Sequence, residues 1–511
     1  MTAARAGWPE AMRWVIPLAT FAIALLLYTS RNRFPYYYHA DEPSKVQQIQ
    51  SGSRNFNHPL LLLTATDLAV KVLRIDPDSQ NVVIAGRWCA AIFAAIAVAG
   101  LSAIAFSHAG TAGAAWTGLL VLLHHRLAEL SHFMKEDTGL LMGAVLTLLA
   151  AHQFWRCPSV WRASWLGCAT AIAASGKYVG VVMLAAALPV LVSRRPFSWS
   201  IALAFSAAFL GALVLINWAL VISPNEFPKA LSGEVSMLNR HAGVQLSFSH
   251  FDWVKGLLRE TAIPLWIFVG YHLRTVWLTR AHISMPEWIL TAFPFAFGLM
   301  LSTSSAQSGR YLLPAMIPIY LFAALGIVEV WRDRSRAIGS WWRFAILAAV
   351  VLGVSAAAFR TAGVELAFRR DSRDELVKWV ATHLPESAVI VEDNRVGLGY
   401  RARAGLAHDS LALKQKIVSA PFAADVGTLA GLQKRGVTHV AITDSAYQQF
   451  MKSRATSTPG FEDVFLRRQA FYKTLLSEGR IVWQRDAGKV GVLNPELRLC
   501  DITNLKLPHQ P

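Results

Sequence analysis

Two acidic pairs, Asp41-Glu42 and Glu136-Asp137, stand at the ends of apolar blocks, and Lys135 precedes the second. Carboxylates held at a membrane face suit transfer from a phosphate-linked donor. One carboxylate takes a proton from the acceptor, while cations or a metal stabilise the departing phosphate. Cations for that task stand at Lys135, Lys177 and Arg310, with His58 beside Pro59 and tyrosines at Tyr178 and Tyr311. Each group also has a structural reading. Both acidic pairs precede helical stretches, where carboxylates serve as N-caps and first-turn acids. Lys177 lies in a polar break and reads also as a snorkelling lysine, and Tyr36 to Tyr38 read as interfacial anchors. His58-Pro59 orients a carboxylate, binds a metal or starts a helix. A divalent ion, Mg2+ or Mn2+, on Asp41 and Asp137 would suit hard oxygen ligands, and the residues leave that open. The chemical reading gains from coincidence, because two acidic clusters on separate loops reach one face together with cations.

The elements that must position these residues are membrane spans. The chain has 511 residues, 54% hydrophobic and only 16% charged, and its mean hydropathy of +0.38 is too apolar for a soluble enzyme of that size. The first apolar block, from Met12 to Ser30, lacks a small-residue cleavage site and reads as a retained signal anchor. At roughly 20 residues per crossing, about eleven spans precede residue 361. They are expected near 12–30, 81–107, 111–127, 137–155, 161–176, 177–193, 198–222, 262–279, 287–304, 309–331 and 341–360. The split at Ser175-Gly176-Lys177-Tyr178 decides the topology downstream.

Lys and Arg accumulate in short cytoplasmic loops. With the N-terminus inside, Arg156 and Arg162, Arg194 and Arg195, Arg274 and Arg280, and Arg332, Arg334, Arg336 and Arg343 all fall on the cytoplasmic side. Asp41, His58, Glu136, Asp137, Lys177 and Arg310 then share the outer face, Arg310 on the side less usual for arginine. The formal charge of +17 is thus explained by topology, with no nucleic-acid partner. Cys89, Cys157 and Cys168 lie in or beside apolar segments and, with Cys500, read as inert core thiols, with no disulfide framework.

From about Glu365 the hydropathy falls. Asp374 to Val380 has amphipathic helical spacing, Ala388 to Val391 and Thr438 to Ile442 read as strands, and Phe422 to Lys434 is helix-like. These predict a soluble α/β domain over 361–511, a size consistent with one core, behind a transmembrane domain over 1–360 whose outer loops are 31–80 and 124–137. Asp393, Asp444 and Tyr447 read as solvated loop residues.

The set Tyr-His-Ala-Asp-Glu-Pro at 38 to 43, His58-Pro59-Leu60, Lys135-Glu136-Asp137, Lys177-Tyr178 and Gly309-Arg310-Tyr311-Leu312-Leu313-Pro314 resembles the GT-C glycosyltransferases. The resemblance is to the bacterial branch related to dolichyl-phosphate-mannose protein mannosyltransferases and lipid A aminoarabinose transferase, and it covers about residues 12 to 360. It implies a mainly α, polytopic GT-C fold with a C-terminal periplasmic α/β domain, in the bacterial inner membrane with the N-terminus cytoplasmic. It also implies inverting transfer from a polyprenyl-phosphate-linked sugar to a lipid, glycan or protein. Asp41 is the implied base, Glu42 completes the acidic pair, and Asp137 is the second-loop acid with Glu136 beside it. His58, Lys135, Lys177, Tyr178, Arg310 and Tyr311 are implied donor or phosphate contacts. The first motif departs from the family pattern at Pro43, which bears on the direction of the following helix and the role of Glu42. The competing classes are a transporter or lipid flippase, with acids near the midplane and repeat symmetry, and a non-catalytic scaffold. The acids here sit at span ends, and no repeat is visible.

Overall fold

The computed structural model describes residues 12–193, 198–229, 244–246, 252–302, 309–333, 340–399, 413–452, 455–457 and 459–505. Arg194, Arg195, Arg334 and Arg336, used above to orient the spans, lie outside the described residues. The chain divides into two units. The first comprises residues 1–36, 41–234 and 249–362, and the second comprises 37–40, 235–248 and 363–511.

The first unit is helical: α1 Met12–Thr29, α2 Glu42–Ser51, α3 Leu61–Val72, α4 Ser79–Leu122, α5 His125–Ser131, α6 Asp137–Arg156, α7 Val160–Gly176, α8 Met183–Ser193, α9 Trp199–Ile216, α10 Ala219–Ile222, α11 Asp252–Glu260, α12 Trp266–Leu278, α13 Met285–Leu301, α14 Leu313–Asp333 and α15 Ser340–Ala367. Among the described residues, five helical stretches are long and apolar enough to cross a membrane, and three shorter apolar helices accompany them. This is a multi-pass membrane protein. The expected boundary between 107 and 111 falls inside α4, where Gly110 (φ 69°, ψ −154°) breaks one long helix into two arms. The polar break at Lys177 is real, because that residue is extended (φ −159°, ψ 145°) and ends α7.

Helices α6 and α7 approach closely because glycines line their contact. A Cβ at Gly143 would come within 2.3 Å of the Ala173 backbone, and one at Gly176 within 2.5 Å of the Leu140 nitrogen. Small residues permit such backbone proximity in a membrane, where the bilayer is as apolar as the side chains. The contact brings the start of α6 against the end of α7. Asp137 and Lys177 sit at those two ends.

In the second unit, α16 Ser372–His383 leads to a five-stranded sheet of order β3-β2-β4-β7-β6, formed by β2 Val389–Asp393, β3 Lys416–Ala420, β4 His439–Thr443, β6 Arg480–Arg485 and β7 Leu497–Asp501. Strands β2, β3 and β4 are parallel, and β7 runs antiparallel to both β4 and β6. Both sheet faces are covered. Val391, Val440 and Ile442 face a core with Leu429, Phe450, Tyr472 and Leu475, whereas Ile390 and Ala441 face Leu376 and Val380 of α16. The remaining helices are α17 Leu429–Lys434, α18 Asp444–Met451 and α19 Glu462–Glu478, and β1 Val244–Leu246 pairs antiparallel with β5 Ala455–Ser457.

Several expectations are corrected here. Asp393 and Tyr447 are buried. Asp393 accepts from the Ala423 and Thr443 amides at 2.7 and 3.1 Å and from the Tyr472 hydroxyl at 2.6 Å, because it ends a strand inside the sheet. Cys157 is exposed and only Cys89 and Cys500 are buried, although all four thiols are free. Tyr38 belongs to the second unit, where its hydroxyl hydrogen bonds Asp371 and its ring lies 4.4 Å from the Arg373 guanidinium. It is therefore more than an interfacial anchor.

Candidate active site

The site begins with Arg87, fully buried in the apolar helix α4. A guanidinium there needs every donor met. Its Nη1 donates to the carbonyls of Asn32 and Phe34 at 2.9 and 2.5 Å, and its Nε and Nη2 donate to the Glu42 carboxylate at 3.0 and 2.5 Å. The Phe34 ring centroid lies 3.4 Å from the same group. Arg87 thus gathers the chain leaving α1 and fixes the first residue of α2.

That placement makes Asp41 the N-cap of α2, yet its side chain makes no capping hydrogen bond. The Asp41 carboxylate instead pairs with Lys135 Nζ at 2.8 Å and is 40% exposed. Pro43 falls in the first turn of α2, where the missing N–H costs no intrahelical bond. The departure from the family motif therefore leaves the helix undisturbed.

Glu42 meets a different geometry from the expected acidic pair. It has no exposed surface, is bound by Arg87, and accepts from the Met134 amide at 2.9 Å. Glu136 is similar, since Lys45 Nζ lies 2.9 Å from its carboxylate and also donates to the Met134 carbonyl at 2.9 Å. Burial works to raise the Glu136 carboxyl, and Lys45, with His58 and Lys135, holds it below its ordinary value instead. These two buried pairs clasp residues 134–136 against α2. That clasp carries Lys135 to Asp41.

Asp137, the first residue of α6, is buried and pairs with Lys177 Nζ at 2.8 Å. The Lys177 ammonium also sits 4.4 Å from the Tyr311 ring centroid. Arg310 packs over the same ring at 5.0 Å and donates from Nη2 to the Tyr311 hydroxyl at 3.0 Å. It acts electrostatically on both Asp137 and Asp41. Its Nε is buried without a hydrogen-bond partner among the described residues. Every carboxylate of the two acidic pairs is matched by its own cation, namely Lys135, Arg87, Lys45 and Lys177. Arg310 is the cation left over, and it faces the same ring as Lys177.

His58 is half-buried, acts on Glu136, and makes no hydrogen bond through its ring to a described residue. It follows Phe56, whose backbone is left-handed (φ 53°), a conformation rare for a bulky side chain. The Tyr178 hydroxyl donates to the Phe56 carbonyl at 2.6 Å and holds that turn. Asn217, after α9, completes the hold by accepting from the Leu60 amide at 3.0 Å and donating to Ser175 Oγ at 2.8 Å. It joins the segment carrying His58 to the segment carrying Lys177.

All ten residues singled out in the sequence lie in the first unit. Sequence reasoning gave no role to Lys45 and missed Arg87 and Asn217. A lone arginine within the 81–107 span and an asparagine within 198–222 were signals, since polar groups in apolar spans carry a role by default. Lys45 stands one helical turn after Asp41.

A divalent ion on Asp41 and Asp137 does not fit this arrangement. Each carboxylate already has an ammonium at 2.8 Å, and among the described residues no three His, Cys, Asp or Glu side chains converge. Mg2+ and Mn2+ want several oxygen ligands.

No family model matches the chain, and no curated protein sequence matches it. Solved structures do. ArnT from Cupriavidus metallidurans in the apo state is 16% identical, with a TM-score of 0.52 over 98% of this chain and 100% of that one. ArnT from the same organism bound to undecaprenyl phosphate is 14% identical, with a TM-score of 0.51 over 96% and 99%. At these identities the likeness shows the fold. The chain has the GT-C fold, with transmembrane helices followed by a small α/β domain.

Proposed function

We propose that this protein is an inverting glycosyltransferase. It moves a sugar from a polyprenyl-phosphate-linked donor to a hydroxyl of a lipid, glycan or protein at the periplasmic face of a bacterial inner membrane, its N-terminus cytoplasmic. The observation that carries this reading is Arg310, the cation without a carboxylate of its own, whose buried Nε has no partner among the described residues and which acts on Asp41 and Asp137. A guanidinium with donors to spare beside an accessible carboxylate suits a phosphate leaving group next to a base. The undecaprenyl phosphate bound by ArnT, which shares this fold, supports a polyprenyl-phosphate donor.

In the proposed step, Asp41 takes the proton of the acceptor hydroxyl, and the acceptor oxygen forms the new bond to the anomeric carbon from the face opposite the phosphate. The bond from that carbon to the phosphate oxygen breaks, its electron pair leaves with the polyprenyl phosphate, and the configuration inverts. Arg310 and Lys177 stabilise the charge gathering on the phosphate, and Tyr311 orders both cations. Lys135 orients Asp41. Asp137 sets the position of Lys177, while Glu42 and Glu136 hold the loop. His58 and Tyr178 border the donor side of the site.

The test is transfer from radiolabelled polyprenyl-phosphate sugars in membranes containing the protein, with and without a chelator. Label entering a lipid, glycan or protein fraction at an undiminished rate under chelation is the expected outcome. No transfer from a panel of hexosyl, pentosyl and aminosugar donors, given native acceptors, would overturn the reading.

A further inference from the structure

We propose that the second unit holds a binding site for a phosphate-bearing lipid headgroup, in the cleft between the end of α15 and the segment joining β6 to β7. The cleft has a volume of about 650 Å³ and is lined by Arg369, Arg370 and Arg485 together with Leu366, Ala487 and Asn494. The inference is independent of sugar transfer, and none of these residues belongs to the site described above.

Charge is the first argument. Three guanidiniums line the cleft against one carboxylate, Asp486. Arg369 and Arg370 have no carboxylate partner among the described residues. Arg485 shares Glu375 only at 3.4 Å, with both side chains 44% exposed, a solvated pair that an incoming anion displaces at little cost. Lys489 adds a further cation, because its stem lies 3.6 Å from the position a Cβ would take at Gly363.

The end of a helix ordinarily presents carbonyl oxygens, which repel anions. Here those oxygens are met. The Leu366 carbonyl accepts from the Arg369 amide at 3.1 Å, and that of Ala367 accepts from the Arg370 amide at 3.2 Å and from Asn494 Nδ2 at 2.9 Å. The lip of the cleft therefore offers guanidinium groups rather than bare carbonyls.

The ligand class follows from the length of α15 and from Leu366. The helix runs unbroken over 28 residues, about 42 Å at 1.5 Å per residue, whereas the hydrocarbon layer is about 30 Å thick. Its charge-free stretch lies between Arg343 and Arg360. The turns after Arg360 therefore leave the hydrocarbon and traverse headgroup depth. Leu366 is 55% exposed on this emerging end. An apolar side chain beside three guanidiniums matches the junction of headgroup and acyl chain, which inorganic phosphate lacks.

The experiment titrates the full chain in detergent with dioctanoyl phosphatidylglycerol, dioctanoyl phosphatidylcholine or inorganic phosphate, and follows Tm. The unmodified protein is compared with an Arg369→Gln, Arg370→Gln, Arg485→Gln variant and with the corresponding three-lysine variant. All three side chains are exposed, so folding is expected to survive, and Arg370→Gln alone serves if the triple variant fails to accumulate. The expected result is a phosphatidylglycerol affinity that falls roughly fivefold per arginine removed and is largely restored by lysine, with phosphatidylcholine insensitive to the changes. Equal phosphatidylglycerol affinity in the unmodified and glutamine proteins would overturn the site. Inorganic phosphate that reproduces the shift at the same concentration would overturn the lipid as its ligand.

Discussion

The Lys177 ammonium and the Asp137 carboxylate lie 2.8 Å apart although they stand 40 positions apart in the chain. Two features bring them together: the glycine-lined contact of α6 with α7, and the extended backbone that ends α7 at Lys177. The pair leaves Lys177 within 4.4 Å of the Tyr311 ring, beside Arg310. Groups from α6, the end of α7 and the turn before α14 thereby meet at one place.

Arg310→Ala should lower kcat/KM for the donor by about a hundredfold, the usual cost of removing one charge-stabilising donor. Arg310→Lys should recover part of that, because an ammonium keeps the charge and loses the planar fork. Steady-state kinetics with varied donor check this. An unchanged value in Arg310→Ala would remove Arg310 from the phosphate site.

Arg87→Met should destabilise the first unit by about 3–5 kcal/mol, because it strands the buried Glu42 charge. The double variant with Glu42→Gln should be less destabilised than Arg87→Met alone. Thermal unfolding in detergent of the unmodified protein, Arg87→Met, Glu42→Gln and the double variant measures the coupling. Additive effects would mean that the pair is not the organising contact.

Asn217→Ala leaves the Leu60 amide without its acceptor and Ser175 without its donor. A cost of about 1–3 kcal/mol in stability is expected, with a tenfold or larger fall in kcat, since small displacements of positioned groups are costly. Lower Tm with unchanged kcat would assign Asn217 a structural role only.

The second unit should lose stability as pH rises. Burial pushes the Glu392 carboxyl up to about 7 and that of Asp393 up to about 6, from ordinary values of 4.5 and 3.8. The folded unit therefore holds protons that the unfolded chain has released. The resulting stabilisation is complete below about pH 4 and disappears as pH passes through 6 to 7. Thermal proteolysis mapped to residues 363–505 should give a Tm lower at pH 8 than at pH 5 by on the order of 5 °C, and Glu392→Gln should flatten that slope. A Tm that climbs over the same range would contradict the assignment.

Much of this architecture was legible in the sequence because membrane spans announce themselves by hydropathy and their ends by charge. Asp41, Lys135, Asp137, Lys177 and Arg310 were readable as polar residues at those ends. What was not readable is which carboxylate meets which cation. Glu42 is adjacent to Asp41 in sequence, yet one is sealed against Arg87 and the other stays accessible, and that difference depends on a residue 45 positions away. In the second unit, β2 and β4 were readable as short apolar runs. Strands β6 and β7 were not, because Arg480 and Arg485 bound a short run in β6 that also holds Gln484, and Arg498 breaks the apolar run of β7. The burial of Asp393 was hidden for a related reason, since its three donors come from distant segments.

The central claim is that Asp41 is the base, and the most direct measurement is sugar transfer by Asp41→Asn against the unmodified protein, at equal membrane abundance and equal Tm. Asparagine keeps the shape and cannot take the acceptor proton. The account predicts loss of transfer by at least about a hundredfold, with donor binding retained. Transfer within a few fold of the unmodified rate would contradict it.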